Sequence, residues 1–473
     1  MSYITIGNNI LNKNTRKRYL FRTLSIVAIA LLNNACTTLG PDYKRPSMTL
    51  PDHYKEAAQQ AHQATKSTSV NNIDVTAQWW QVYSDELLNN LLAQVEVDNY
   101  ALQAVAARAK QARALFDISK AQQSPTVFVG GRNDFGLVAT WEVDLWGRIQ
   151  REVEASDATA QANIADYAAA KLSLQAQLAQ NYFLLRVKDA DIALLQSTLN
   201  SYQQSLQITK NKYAMGVLGR IDVAQAQAQL STTQVQMHNV AVNRTQLEHA
   251  IALLLGKTPA DFSIKAAEMH LAIPTMPIIP DDLPANLLIH RPDIAAAERR
   301  MAAASAQIGV AAAAAYPALE LVAGISIRKI FLGGGELFAP IYTAGGTKAT
   351  NSQAEAAYVE VVANYRQTVL NGFREVEDNL STLRILSQAA KAQHEAVKAS
   401  RKVVEISKNK YQAGVIDHQS IIIEQAFALN NERSALSILA RRLVASVDLI
   451  KALGGGWQAD VLSEKQGTAK SKE

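Results

Sequence analysis

The chain has 473 residues, 47 lysines and arginines against 42 acids, and a single cysteine. Five of the basic residues, Lys13, Arg16, Lys17, Arg18 and Arg22, lie in the first 35 positions with no acid among them, which leaves the remainder neutral. A neutral body excludes the basic excess that phosphate binding needs, so no nucleic-acid partner is expected, and one cysteine excludes an intrachain disulfide.

Residues 1–35 join that basic start to an apolar run from Thr23 to Leu32, too short to anchor as a helix, and read as an export signal peptide. Cys36 follows Ala35 directly. Its position resembles a bacterial lipoprotein processing site, where the thiol is acylated; the other reading is ordinary signal cleavage beside a chance cysteine, and Asn33 stands where such sites usually carry leucine. Residues 36–78, polar and proline-containing at the start, read as an N-terminal extended arm.

A first repeat is expected over 79–262. From Leu87 to Phe116 apolar residues recur at helical spacing, until Ser124-Pro125 ends the pattern. From Phe135 to Leu145 the period changes to two, with Phe135, Leu137, Ala139, Trp141 and Val143 on one face. This predicts a β-hairpin at about 126–145, with Thr126–Arg132 as partner strand and Asn133-Asp134 as turn. Long helices are predicted over about 152–213 and 222–255, separated by a turn at 216–218. A helix of about 60 residues is ~90 Å long, far more than a compact globule uses. Residues 263–290 read as a linker.

The plan then returns over 291–456. Ile208 to Leu218 recurs as Ile406 to Ile416 with seven of eleven residues identical, a period of 198. A second hairpin is expected at about 318–342, turning at Gly333–Gly335 and returning from Leu337 to Tyr342, and a second tip turn at 414–416. Each half is thus helix, hairpin, long helix, glycine turn, helix. Residues 457–473 form a polar tail. The charged runs 298–300 and 374–378 read as solvated helix faces or interprotomer pairs.

Four strands cannot close a membrane barrel, whose smallest single-chain forms have about eight, and open edges are not viable in a bilayer. An oligomer that pools strands is therefore required. Against any catalytic role, the eight histidines are scattered, and neither a phosphate-cradling loop nor a nucleophile elbow is present. No cofactor or metal is expected.

Several motifs resemble one family, the lipoprotein branch of the TolC-like outer-membrane efflux factors. They are Gly40-Pro41-Asp42-Tyr43-Lys44-Arg45-Pro46, Trp79-Trp80 with Asp85, the run from Trp141 to Arg148, and Arg291-Pro292-Asp293-Ile294 with Ala297-Glu298 and Ile308-Gly309. The resemblance implies a mainly α fold with a small β part. A long α-helical barrel and short hairpins would form a membrane β-barrel in a homotrimer. It also implies a passive exit duct in the outer membrane, tied to its lipid through Cys36 and docked to a periplasmic membrane-fusion adaptor and an inner-membrane efflux pump.

By that resemblance the docking tips are Gly216, Val217, Leu218 and Gly414, Val415, Ile416, each turn offering two exposed aliphatic side chains; a plain hairpin turn with buried aliphatics is the alternative. Asp222 and Tyr411 match a carboxylate and phenol that hold the periplasmic gate shut, although Asp222 in that place also suits a helix cap. Relatives often carry channel-facing carboxylates where this chain has Ile421-Ile422-Ile423, so Asp417 or Glu424 would have to supply them. The hairpins are short beside the ~9–11 residues of a spanning strand, which keeps open a second reading as a non-conducting periplasmic helical scaffold with a degenerate barrel.

Overall fold

The computed structural model describes residues 38–48, 51, 53–56, 78–130, 136–267, 291–326, 330–331, 335–413 and 415–458. The signal, Cys36, Gly414, most of the linker and the tail beyond 458 lie outside the described residues. A 3-10 turn at Trp79–Tyr83 precedes helices α1 (Glu86–Asp98) and α2 (Tyr100–Ala121). Strands β1 (Thr126–Gly130) and β2 (Gly136–Val143) lead into α3 (Arg148–Ala214) and α4 (Arg220–Leu254). After a second 3-10 turn at Pro259–Asp261 come α5 (Pro292–Ala313), β3 (Ala318–Ser326), β4 (Ile330–Phe331), β5 (Gly335–Phe338), α6 (Gly346–Gln412) and α7 (His418–Ala452).

The duplication is kept to the residue. Helices α3 and α6 have 67 residues each, α4 and α7 have 35 each, and all four boundaries recur at an interval of 198. A 67-residue helix measures about 100 Å along its axis.

The expected single helix from Leu87 to Phe116 is instead two, because Asn99 interrupts it. Its side-chain oxygen accepts from the Leu102 amide at 2.9 Å, capping α2, while its amide donates to the Leu254 carbonyl at 2.8 Å. A buried asparagine with both ends bonded outside the helix ladder favours the break over continuation.

Two compact units emerge, one from residues up to 46, 110–162 and 298–364, the other from 47–109, 163–297 and 365–473. In the first, the sheet order is β1-β2-β3, with β4 and β5 both on the far edge of β3, and every pairing is antiparallel. The expected fourth strand is thus divided, and its return ends at Phe338 rather than Tyr342. Pro340 cannot donate to a ladder, and Ile341 and Tyr342 beyond it are almost fully exposed.

Register places Val129 opposite Leu137, Leu137 opposite Ile325, and Trp141 opposite Leu321. Val127, Val129, Leu137, Leu321, Ile325 and Leu337 are all exposed in the single chain, so one face of the sheet is an uncovered apolar surface. On the other face Glu142 stands opposite Glu320. Such a like-charge pair is unfavourable, and Arg148 offsets it by donating to both Glu142 oxygens, at 3.1 and 2.7 Å. The Trp146 indole donates to the Pro317 carbonyl at 2.8 Å, joining the base of one hairpin to the base of the other.

In the second unit the core gathers Trp79, Trp80 and Tyr83 with Leu88 and Leu92 of α1, Tyr182 and Phe183 of α3, and Leu443 and Val447 of α7. The Tyr83 and Phe183 rings lie 4.7 Å apart, and Tyr182 donates to Asp85, whose other oxygen caps α1 through the Leu88 amide.

Candidate docking tips, gate and anchor arm

The first tip follows from how α3 ends. Gly216 lies at φ +75°, its amide donates to the Tyr213 carbonyl at 2.9 Å, and the Val217 amide donates to the Lys212 carbonyl at 2.9 Å. This is the helix-end motif that requires a left-handed residue, which glycine adopts without penalty. In the second copy the Val415 amide makes the same bond to the Lys410 carbonyl at 2.8 Å across Gly414. The expectation of two exposed aliphatics per tip needs correction. Val217 and Val415 are about 70 % exposed, whereas Leu218 and Ile416 are half-buried. A reversing turn holds one side chain between its two helices and leaves the other outside.

The four gate candidates all lie beside these turns. The Asp222 carboxylate accepts from the Gly219 amide at 2.9 Å, closing the start of α4. Asp417, at the cap of α7, accepts from the Ser420 amide at 2.9 Å and from its hydroxyl at 2.6 Å. The copies therefore solve the same capping need with the carboxylate at different positions, 222 in one and 417 in the other. The Lys212 ammonium lies 4.2 Å from the centre of the Tyr411 ring, a cation-π contact that brings the end of α3 to the end of α6. No hydrogen bond joins Asp222 to Tyr411 within the described chain, because the carboxylate is held by its own helix start. Glu424 is half-buried on α7, one residue past the exposed Ile423.

The arm is the site that sequence reasoning underrated. Arg151, almost fully buried, donates to the carbonyls of Leu39 and Gly40 at 3.1 and 3.3 Å and to the carboxylates of Asp42 and Glu154 at 2.8 Å each. Tyr43 donates to Glu298 at 2.7 Å; burial, reinforced by that carboxylate, pushes the phenol ionisation upward. The backbone of Gly40, at φ +90°, passes so close to Gly309 that a Cβ on Gly40 would lie 2.4 Å from the Gly309 Cα. Gly40 and Gly309 had been matched as motif letters, but their contact across 269 intervening positions has no local signal.

The charged runs also have partners within the chain. Glu375 receives Arg291 at 2.9 Å, and Glu377 accepts from the backbone amides of Lys55 and Glu56 at 2.7 and 3.0 Å. Arg291, also on Asp293 and the Ala452 carbonyl, secures the end of α7. Only the Arg374–Asp378 pair is a solvated face, as expected.

Among known families, the outer membrane efflux proteins match residues 91–257 and 283–455, most of the chain. The chain belongs to that family. It is 25 % identical over 471 residues to the probable outer membrane lipoprotein SilC of Salmonella typhimurium, covering 93 % of this chain and 99 % of SilC. To the toluene efflux pump outer membrane protein TtgF of Pseudomonas putida it is 29 % identical over 488 residues, covering 94 % and 98 %. The solved outer-membrane channel OprN superposes with a TM-score of 0.80 at 27 % identity, over 89 % of this chain and 99 % of OprN. The fold is that of the TolC-like channels, and the protein is an outer-membrane efflux duct.

Proposed function

We propose that this duct works as a homotrimer, the exit element of a tripartite system that passively conducts small molecules after docking to a periplasmic membrane-fusion adaptor and an inner-membrane efflux pump. The observation that carries the reading is the sheet of the single chain. It has two free edges, β1 on one side and β4 with β5 on the other, and an exposed apolar face. Both are unstable alone in a bilayer and are relieved together when copies join edge to edge. Acylation of Cys36 would fasten the arm to the same membrane. The name of SilC, a lipoprotein, supports that assignment.

In this reading Val217 and Val415 are the outermost apolar contacts offered to the adaptor, with Leu218 and Ile416 supporting them. Asp222, Tyr411, Asp417 and Glu424 surround the periplasmic gate, where the Lys212 contact with Tyr411 ties the two copies together. The deciding experiment is single-channel conductance of the purified, lipidated protein in a planar bilayer, with oligomer mass measured on the same preparation. Conducting trimers are expected, with a higher conductance in the Asp222→Ala, Tyr411→Phe double variant. Trimers silent in both forms would replace the duct mechanism with the scaffold one, which the four- and five-residue lengths of β5 and β1 favour.

A further inference from the structure

The two copies differ sharply at one place along their long helices. Between α6 and α7 runs an open groove of about 650 Å³ whose floor includes Val397, Ile438 and Leu439. Its rim is cationic, with His394, Lys398, Arg401 and Lys402 on α6 and Arg442 on α7. The α6 members fall at helical spacing, so they form one ridge about 12 Å long. Arg401 is paired with Glu432, and Lys402 with Glu405 at 3.0 Å. Among the described residues Lys398 and Arg442 have no ion pair, and the Arg442 Nε is buried with no hydrogen-bond partner.

The first copy provides the comparison, 198 residues earlier. There the rim positions are Gln196, Asn200, Gln203 and Gln204, all neutral. Leu199, Met237 and Val240 fill the floor within apolar clusters, where the second copy has Val397, Ala435 and Ile438. Arg244, the counterpart of Arg442, is fully served: Nε donates to Asp189 at 2.6 Å, Nη1 to Glu248 at 3.1 Å and Nη2 to the Ile264 carbonyl at 2.6 Å. The positions of Asp189 and Glu248 are Ser387 and Ser446 in the second copy. The second copy has thus kept the buried arginine, lost both its carboxylates, opened the floor and added a row of cations. A buried guanidinium nitrogen without an acceptor is costly, and an acceptor arriving from outside removes that cost.

We propose that the α6–α7 groove docks an acidic amphipathic helix of a partner protein, whose apolar side lies on Val397, Ile438 and Leu439 and whose carboxylates meet the ridge and Arg442. Helix-in-groove recognition uses this combination of an apolar floor and charged rims. The surface is separate from the tips, since Lys402 precedes Gly414 by twelve residues, about 18 Å of helix. It therefore adds a lateral contact to the end-on docking proposed above, and its test does not depend on conductance.

The test is fluorescence anisotropy on the full, lipidated oligomer with a helical peptide of about 20 residues carrying glutamates at i, i+4, i+7 and i+11 beside a leucine stripe. An isomer of identical composition with its glutamates spread around the helix is the control. The patterned peptide is expected to bind about tenfold tighter, and Lys398→Asn with Arg401→Gln and Lys402→Gln should erase the preference. Those substitutions install the residues the first copy already carries on the same helix surface, so folding is preserved. Equal binding of the two peptides, or a preference that survives the triple variant, overturns the proposal. So does a marked gain of peptide affinity on ending the chain at Gln458, which would make the tail the occupant. A Lys398→Cys thiol that is shielded from maleimide in the oligomer and reactive in the dissociated protomer would make the groove a seam between copies, and likewise overturns it.

Discussion

Gly40→Ala isolates the docking of the anchor arm from every other feature of the duct. At φ +90° an alanine costs about 1–2 kcal/mol. Its Cβ would also lie 2.4 Å from the Gly309 Cα and 2.8 Å from the Gly309 nitrogen, both backbone atoms, and relieving such overpacking costs about 1–3 kcal/mol. Docking of residues 38–43 is therefore expected to weaken by about 2–5 kcal/mol in all. Lys44 is exposed and lies just beyond the arm's last anchor, Tyr43. Trypsin cutting between Lys44 and Arg45 acts on the detached fraction, so its rate follows that population. The variant should be cut roughly 30-fold faster or more, at about 1.4 kcal/mol per tenfold. Gly309→Ala, whose Cβ would meet the Leu39 carbonyl oxygen at 2.6 Å without a φ penalty, should show the steric part alone. Gly216→Ala, whose Cβ meets nothing within 4 Å, should leave Lys44 untouched. Sites on α3 must stay protected throughout if the effect is local. Cleavage of Gly40→Ala at the parental rate would show that the Gly40–Gly309 contact does not hold the arm.

Asp189→Ser copies into the first repeat the serine of the second. It leaves the buried Arg186 and Arg244 without their shared carboxylate, so the thermal or urea midpoint of the helical signal should fall by the equivalent of about 3–5 kcal/mol; a loss under about 1 kcal/mol would refute the buried-pair account. Asp448 is raised chiefly by burial, with a bond from Gln180 opposing the shift. In the window from the ordinary aspartate value up to the raised one, the folded state holds a proton that the unfolded state has lost. Stability therefore falls as pH rises through that window, and the deficit persists at neutral pH. Asp448→Asn should flatten this slope and raise the midpoint at pH 7, and an unchanged pH profile would contradict the assignment. Asp222→Ala should remove about 0.5–2 kcal/mol from the first turn of α4, seen as faster amide exchange at Gly219. Asp417→Ala should do the same at the Ser420 amide, and unaltered exchange in both would deny the capping roles.

What the sequence made legible was what repeats or alternates locally. The 198-residue period, the two long helices of each copy, the glycine turns and the β2 and β3 strands all rest on patterns within a few residues, and the structure keeps them. The misses share the opposite property. Asn99 breaks a helix because its amide finds the Leu254 carbonyl, 155 residues away. Glu375 and Glu377 resemble a solvated face until Arg291 and the Lys55 amide, 84 and 322 residues distant, arrive to use them. Asp222 sits between these cases. One carboxylate three residues into a helix satisfies a local rule, and the single chain uses it so, whereas holding a gate is a relation among copies that no single chain contains.

The duplication gives a way past that limit. Two segments with one ancestry and one backbone plan differ only where their surroundings differ, so a residue kept in both copies while its partners change marks a place where the environment has changed. Arg244 and Arg442 are such a pair. The arginine alone says nothing in either copy, and a pattern search passes over both. Only the loss of Asp189 and Glu248 in favour of Ser387 and Ser446, read together with the filled floor of one groove and the open floor of the other, separates a cation satisfied within its own chain from one positioned to be satisfied by another.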